Sequence, residues 1–230
     1  MLDWGRRLRV AAAATAWLAA AGLAQPALAA RQDFSSTHPS ADAQRLVDWV
    51  RHTGDAHGRP FAVVDKRDAR IFVFGADGRL AGQSAAILGS AIGDHIAPGV
   101  GEHAQTGHVP AAERTTPAGR FEAEPGENAS GERIVWVDYA SAFAIHRLRP
   151  GASYKLRASR LAGGPSAGKR LSWGCVVVPR DFYQGVVAQV LGRTRSVVSK
   201  PSASPKATLR TLTPSTRTSR VDRRGSRPAP

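Results

Sequence analysis

Pro60-Phe61-Ala62-Val63-Val64-Asp65-Lys66-Arg67-Asp68-Ala69-Arg70-Ile71-Phe72-Val73-Phe74-Gly75-Ala76-Asp77-Gly78-Arg79 holds two short runs of β-branched and aromatic residues. A polar turn at 65–68 separates them, and Gly-Ala-Asp-Gly closes the second. The spacing predicts strands over 61–64 and 71–74 and a third over 79–84, which together form a β-meander. Upstream, Ser40 is placed to cap a helix over 41–52, where Leu46, Val47 and Val50 recur at helical spacing and Gly54 supplies a stop. Downstream, 89–119 is rich in Gly and His and holds no sustained period, so it reads as a long loop region. Loops of that length inside a domain usually carry function. Two further strands are expected over 134–137 and 143–146, around a turn at 138–141. The stretch 147–170 is basic, Gly-rich and expected to be exposed, and 181–191 reads as a short helix. No repeat is apparent. The architecture implied is a mainly β (α+β) domain with a helix near each end.

The chain has 230 residues, 42% of them apolar, which is enough for one domain with appendages and excludes fibrous or wholly disordered chain. Its net charge of +14 would suggest a nucleic-acid or membrane partner if it lay on a folded face. Much of it sits instead beyond Gly192, where ten Lys and Arg face one acid, Asp222. The composition there turns abruptly to Ser, Thr, Pro and Arg. We therefore expect 193–230 to be a disordered basic tail, suited at most to weak binding of anionic polymer, with no nucleic-acid partner for the domain. Residues 1–29 read as a secretory signal peptide: Arg6, Arg7 and Arg9, an apolar run from Val10 to Leu23, then Ala27-Leu28-Ala29 as a cleavage site. The apolar run is too short to span a bilayer, so no membrane span is expected after cleavage. Residues 30–59 then form a helical lead-in, and 60–192 the domain proper.

A single cysteine, Cys175, excludes an internal disulfide and leaves an inert thiol, an intermolecular bridge or a nucleophile. It sits in Leu171-Ser172-Trp173-Gly174-Cys175-Val176-Val177-Val178. The preceding Gly lets backbone approach a substrate and could direct the 174 and 175 amides at an oxyanion. A nucleophilic thiol needs a base or a cation. Of seven histidines, His38, His52 and His57 fall around the first helix. His95, His103 and His108 fall in the loop region, where with Asp94 they lack compact ligand spacing, so no metal is expected. His146 ends a strand after Ala142-Phe143-Ala144-Ile145. From the residues alone, an inert thiol and a structural histidine stand beside the catalytic reading.

The ordered pair Ala144-Ile145-His146-Arg147 and Arg170-Leu171-Ser172-Trp173-Gly174-Cys175-Val176-Val177-Val178-Pro179 resembles the L,D-transpeptidase catalytic domain family. Further pieces resemble its proteobacterial branch: Pro60 to Lys66, Arg114 to Phe121, Trp136 to Tyr139, and Asp181-Phe182-Tyr183. The resemblance spans about 40–190. It implies a β-sandwich or barrel with a few short helices, and an enzyme that needs no cofactor and acts on peptidoglycan stem peptides. Cys175 would attack the peptide bond after the third stem residue and expel D-Ala, and an amine of a neighbouring stem would take the acyl group to form a 3-3 cross-link. Residue by residue, the resemblance makes Cys175 the nucleophile, His146 its base, and the Arg147 carbonyl the group that orients the imidazole. Gly174 and Cys175 would supply oxyanion amides, Ser172 loop support, and Trp173 and Arg170 substrate contact. A periplasmic location and acylation by carbapenems follow from the same resemblance. Two alternatives use the same residues or lose them: an L,D-carboxypeptidase with water as acceptor, and an inactive wall-binding homologue.

The sequence departs from the pattern at three places. Trp173 stands where His or Tyr is usual. Val177 stands where Arg or Asn is usual and can neither pair with a carboxylate nor accept a hydrogen bond. The family's closing strand is absent from the reading, because the chain passes into what looks like a frame-shifted or degenerate end, which would leave an open sheet edge.

Overall fold

The computed structural model describes residues 33–164 and 166–201; the expected signal segment and the tail beyond residue 201 lie outside them. Helix α1 spans Ala41–Thr53. Its first turn is capped by Ser40, whose Oγ accepts from the Ala43 amide at 3.2 Å, and it ends at Gly54 in the left-handed conformation. The meander follows as β1 (Phe61–Asp65), β2 (Arg70–Phe74) and β3 (Leu80–Ala85), then β4 (Leu88–Gly89). The loop region contains helix α2 (Val100–Gln105) and leads into β5 (Gly119–Glu127), β6 (Arg133–Asp138) and β7 (Phe143–Arg147). Helix α3 (Tyr154–Ala162) precedes β8 (Arg170–Ser172) and β9 (Val176–Val178). A continuous helical run through 180–190 includes a π turn at Tyr183–Val187, and β10 (Ser196–Lys200) comes last.

Eight strands form one sheet in the order β3-β2-β1-β10-β5-β6-β7-β9. The sheet curls until the segment after β3 meets β9, where Ile87 and Val177 exchange backbone hydrogen bonds of 2.8 and 2.9 Å. The structure is thus mainly β with short helices, as the short β-branched and aromatic runs predict. Strands β1 and β2 are buried on both faces, which explains their unbroken apolar runs. Phe61, Val63, Phe72 and Phe74 pack with Leu46, Val47 and Val50 of α1 and with Phe34. Ala62, Val64, Ile71 and Val73 face the interior, with Val135, Val137, Phe143, Ile145, Val176 and Val178. Tyr183, Val187 and Leu191 from the late helical run complete that cluster.

Three expectations need correction. The closing strand exists: β10 lies in the middle of the sheet, parallel to β1 and antiparallel to β5. The domain therefore runs past residue 192, and 193–201 is not tail. The strand escapes a hydrophobicity reading because Ser196, Ser199 and Lys200 are polar, yet all three are buried. The stretch 147–170 is not a bare exposed loop. It contains α3, whose Leu161 packs with Leu148, Ile87 and Val177 in a third small cluster. Strand β5 emerges from a segment in which the pattern shows no strand. Among the described residues, no helix is long and apolar enough to cross a membrane.

Candidate functional site

Cys175 sits one residue before β9, and β9 runs parallel to β7 in the register Ile145 to Val176 and His146 to Val177. The cysteine and the histidine therefore come from adjoining strands, offset by two residues. Strand spacing and rise put their α-carbons about 8 Å apart; His146 does not itself line the cleft in which Cys175 lies. The sulfur lies against β7 itself: its thiol points to the Ala142 carbonyl at 3.5 Å, and the Ala144 amide donates toward it. It is half-buried on the floor of a narrow cleft bounded by Ile96, Val100, Glu113, Thr115, Phe143 and Trp173. The long loop region supplies one wall of that cleft and the Trp173 loop the other.

The loop that presents Cys175 is braced from inside. Ser172 Oγ donates to the Cys175 carbonyl at 2.7 Å and accepts from the Gly174 amide at 3.1 Å. Gly174 has φ of +127°, and a Cβ there would stand 2.8 Å from the Thr115 carbonyl, so the position excludes a side chain on two counts. Thr116, fully buried, donates from Oγ1 to the Gly174 carbonyl at 2.8 Å and accepts from the Gly89 amide at 2.8 Å. One hydroxyl thus ties β4, the approach to β5 and the cysteine loop together. The resemblance covers this threonine within 114–121 but gives it no role, because the role depends on three distant segments meeting.

His146 Nδ1–H donates to the Arg147 carbonyl at 2.8 Å, which leaves Nε2 with its lone pair. Burial, reinforced by the Arg149 and Arg157 guanidinium groups and opposed by that hydrogen bond and by Glu132, lowers its pKa to about 4. The imidazole is therefore neutral at pH 7, with a lone pair less basic than that of an exposed histidine. Burial pushes the Cys175 thiol up, while the Ala144 amide, Arg149, the cysteine's own amide and Lys200 pull it down. At rest the thiol and the imidazole are both neutral, without a standing thiolate.

Other candidates find different places. Gly174 does not offer a free oxyanion amide, because its N–H is taken by Ser172. Arg170 does not line the cleft: its Nη2 donates to the Lys66 carbonyl at 3.1 Å, and Nη1 is buried without a partner. Arg147 supplies its carbonyl, while its side chain reaches Glu132 at 2.8 Å. Trp173 stands 45% exposed at the cleft, with the Arg114 guanidinium 5.5 Å from its ring centroid. Val177 is buried, so the position that usually carries Arg or Asn is absorbed into packing. In the loop region Asp94 pairs with Lys66 at 2.5 Å and His103 with Glu113 at 2.6 Å. Among the described residues no group of three metal-ligating side chains converges.

No protein-family model and no curated protein matches the chain. Several solved structures do. An L,D-transpeptidase from Enterococcus faecium is 17% identical over 62% of this chain and 49% of its own, with a TM-score of 0.36. The helical cell shape determining protein Pgp2 from Campylobacter jejuni is 18% identical over 67% and 54%, with a TM-score of 0.41. The catalytic domain of the E. faecium enzyme, solved by NMR, is 18% identical over 62% and 97%, with a TM-score of 0.36. The chain spans about half the length of the first two proteins.

Proposed function

We propose that the chain is an exported, periplasmic cysteine acyltransferase, an L,D-transpeptidase that acts on peptidoglycan stem peptides through Cys175 and His146. The observation that carries this reading is the sulfur on an accessible cleft floor, lying along the strand whose end holds an imidazole pinned by Nδ1 with Nε2 free. An amide carbon is a poor electrophile, so the reaction needs an activated sulfur, donors where negative charge develops, and shelter from water.

His146 Nε2 takes the thiol proton as Cys175 Sγ attacks the carbonyl carbon of the third stem residue. The Gly174 amide is held by Ser172; the Cys175 amide, which favours its own thiolate at rest, meets the oxyanion once the sulfur has attacked. The C–N bond to D-Ala then breaks, and His146 returns its proton to the departing amine, leaving a thioester. An amine of a second stem attacks the thioester, its proton passes to His146, and the thiol is regenerated with the new amide bond. Trp173, Ile96 and Val100 give the cleft apolar walls against which a stem can lie without ordered water. With no side chain at 177 to hold a carboxylate, the cleft walls carry substrate recognition.

The test is to incubate the folded chain with a tetrapeptide stem and follow D-Ala release and a covalent adduct on Cys175 by mass spectrometry, with Cys175→Ala as control. Adduct and release in the first and neither in the second are expected. Adding an amine acceptor separates transfer, which gives a cross-linked product, from hydrolysis to a tripeptide. A folded protein that forms no adduct refutes the proposal.

A further inference from the structure

Lys200 closes β10 with an amine that is buried and has no hydrogen-bond partner. Residues 198 and 200 share the interior face of the sheet, and in the β10 to β5 register they stand opposite Phe121 and Gly119. From there the side chain crosses β5 toward β7, and Nζ lies 3.9 Å from the centroid of the Phe121 ring and 3.7 Å from that of Phe143. Phe143 also lines the cleft that Cys175 floors. The buried amine and the cleft therefore share the Phe143 ring.

The charged and titratable groups facing Lys200 are few. Lys66, after β1, opposes its protonation; Asp138, at the end of β6, and the Cys175 sulfur, before β9, favour it. The coupling is mutual, because Lys200 in turn favours the Cys175 thiolate. The sulfur also faces Arg149, which acts in the same direction. Burial lowers the lysine pKa well below its ordinary value, while two ring faces favour the cation. The amine thus sits in surroundings where a change of charge on sulfur is felt strongly.

We propose that Lys200 is a positioning residue for the nucleophile: its ammonium compensates the Cys175 thiolate from behind the cleft. When His146 removes the thiol proton, the sulfur anion forms in the cleft that Phe143 lines, and the amine packed on that ring, which has no hydrogen-bond partner, becomes its counter-charge. No bond from Lys200 to substrate forms or breaks; the amine gains its proton from solvent as the anion forms, and loses it when sulfur becomes neutral in the thioester. This deepens the proposed reaction and rests on Cys175 being its nucleophile, but its test needs no peptidoglycan.

The experiment is the pH profile of Cys175 alkylation by iodoacetamide in the full chain, compared with Lys200→Met and Lys200→Gln, each checked for folding by thermal melting. Both variants should raise the midpoint of the profile by about one pH unit, so that alkylation near pH 7 slows about tenfold. A merely structural lysine would alter melting and leave the midpoint where it is. A folded variant of either kind whose midpoint matches the parent chain overturns the proposal. If the midpoint shifts but no stem adduct forms in the parent chain, the electrostatic pair stands and the substrate assignment falls. If a stem adduct forms and the midpoint does not shift, the substrate assignment stands and the electrostatic pair falls.

Discussion

Val177 stands opposite His146 across the β7 to β9 register and is locked to Ile87 by a pair of backbone hydrogen bonds. Its side chain packs among Ile87, Leu148 and Leu161, with 1% of its surface exposed. Restoring the residue usual at this position in the family that the motif resembles should therefore fail. Val177→Arg would bury a guanidinium among aliphatic groups with no acid to meet it. The expected loss is more than about 3 kcal/mol of stability. Urea unfolding measures it, and a variant as stable as the parent would contradict the packing described.

The cysteine loop should depend on Thr116 more than on any residue that touches substrate. Thr116→Val keeps the volume but strands the Gly89 amide and the Gly174 carbonyl, both of which it now satisfies. Leaving buried groups unpaired costs about 1–3 kcal/mol each. Thr116→Ser keeps the hydroxyl and should recover most of the loss. The same pair of variants, ranked by Cys175 alkylation rate at a fixed pH, should show the valine chain slower and the serine chain close to the parent.

The legibility of these features follows from how local their causes are. Strands β1 and β2 are apparent because both faces are covered and every position wants an apolar residue. Cys175 and His146 stand out because few residue types perform such chemistry and one cysteine leaves no choice. Strand β10 is hidden because only Val197 and Val198 of its five residues are apolar; its place comes from the slot between β1 and β5, which satisfies its backbone whatever its side chains. Helix α3 is hidden because Leu161 is its one buried anchor. Arg170 reads as a substrate contact in the motif, yet the fold turns it toward the Lys66 carbonyl, a partner 104 residues away. Gly174 reads as an oxyanion donor until the Ser172 hydroxyl is placed beside its amide.

Acid should affect stability and activity through the same imidazole. The folded-state pKa of His146, about 4, lies below the ordinary value near 6.5, so the unfolded chain binds the extra proton between those limits. Stability is thus full above about pH 6.5 and falls as the pH drops toward 4, by about 3 kcal/mol from this group alone. His146→Gln should flatten that part of the curve in chemical denaturation at a series of pH values. For the proposed reaction of the parent chain, kcat/KM should keep its base down to the same low pH, with an acid limb well below that of an exposed histidine.

Lys200 should carry a cost opposite to its proposed use. An amine buried without a hydrogen-bond partner opposes folding, and its pKa is depressed in the folded state. The unfolded chain holds its proton up to about pH 10.5. Between the folded and unfolded values folding must release a proton, so the penalty is greatest at low pH, shrinks as the pH rises, and vanishes above the unfolded pKa. Lys200→Met fills the same space beside Phe121 and Phe143 with a polarizable apolar chain, suited to aromatic neighbours. At pH 7 it should be more stable than the parent by about 1–3 kcal/mol, with the difference closing toward pH 10. Thermal melts of the two chains across that range read the effect directly. A methionine variant that melts lower at every pH would mean that the amine is satisfied where it sits, and that β10 does not bear the strain its buried polar side chains imply.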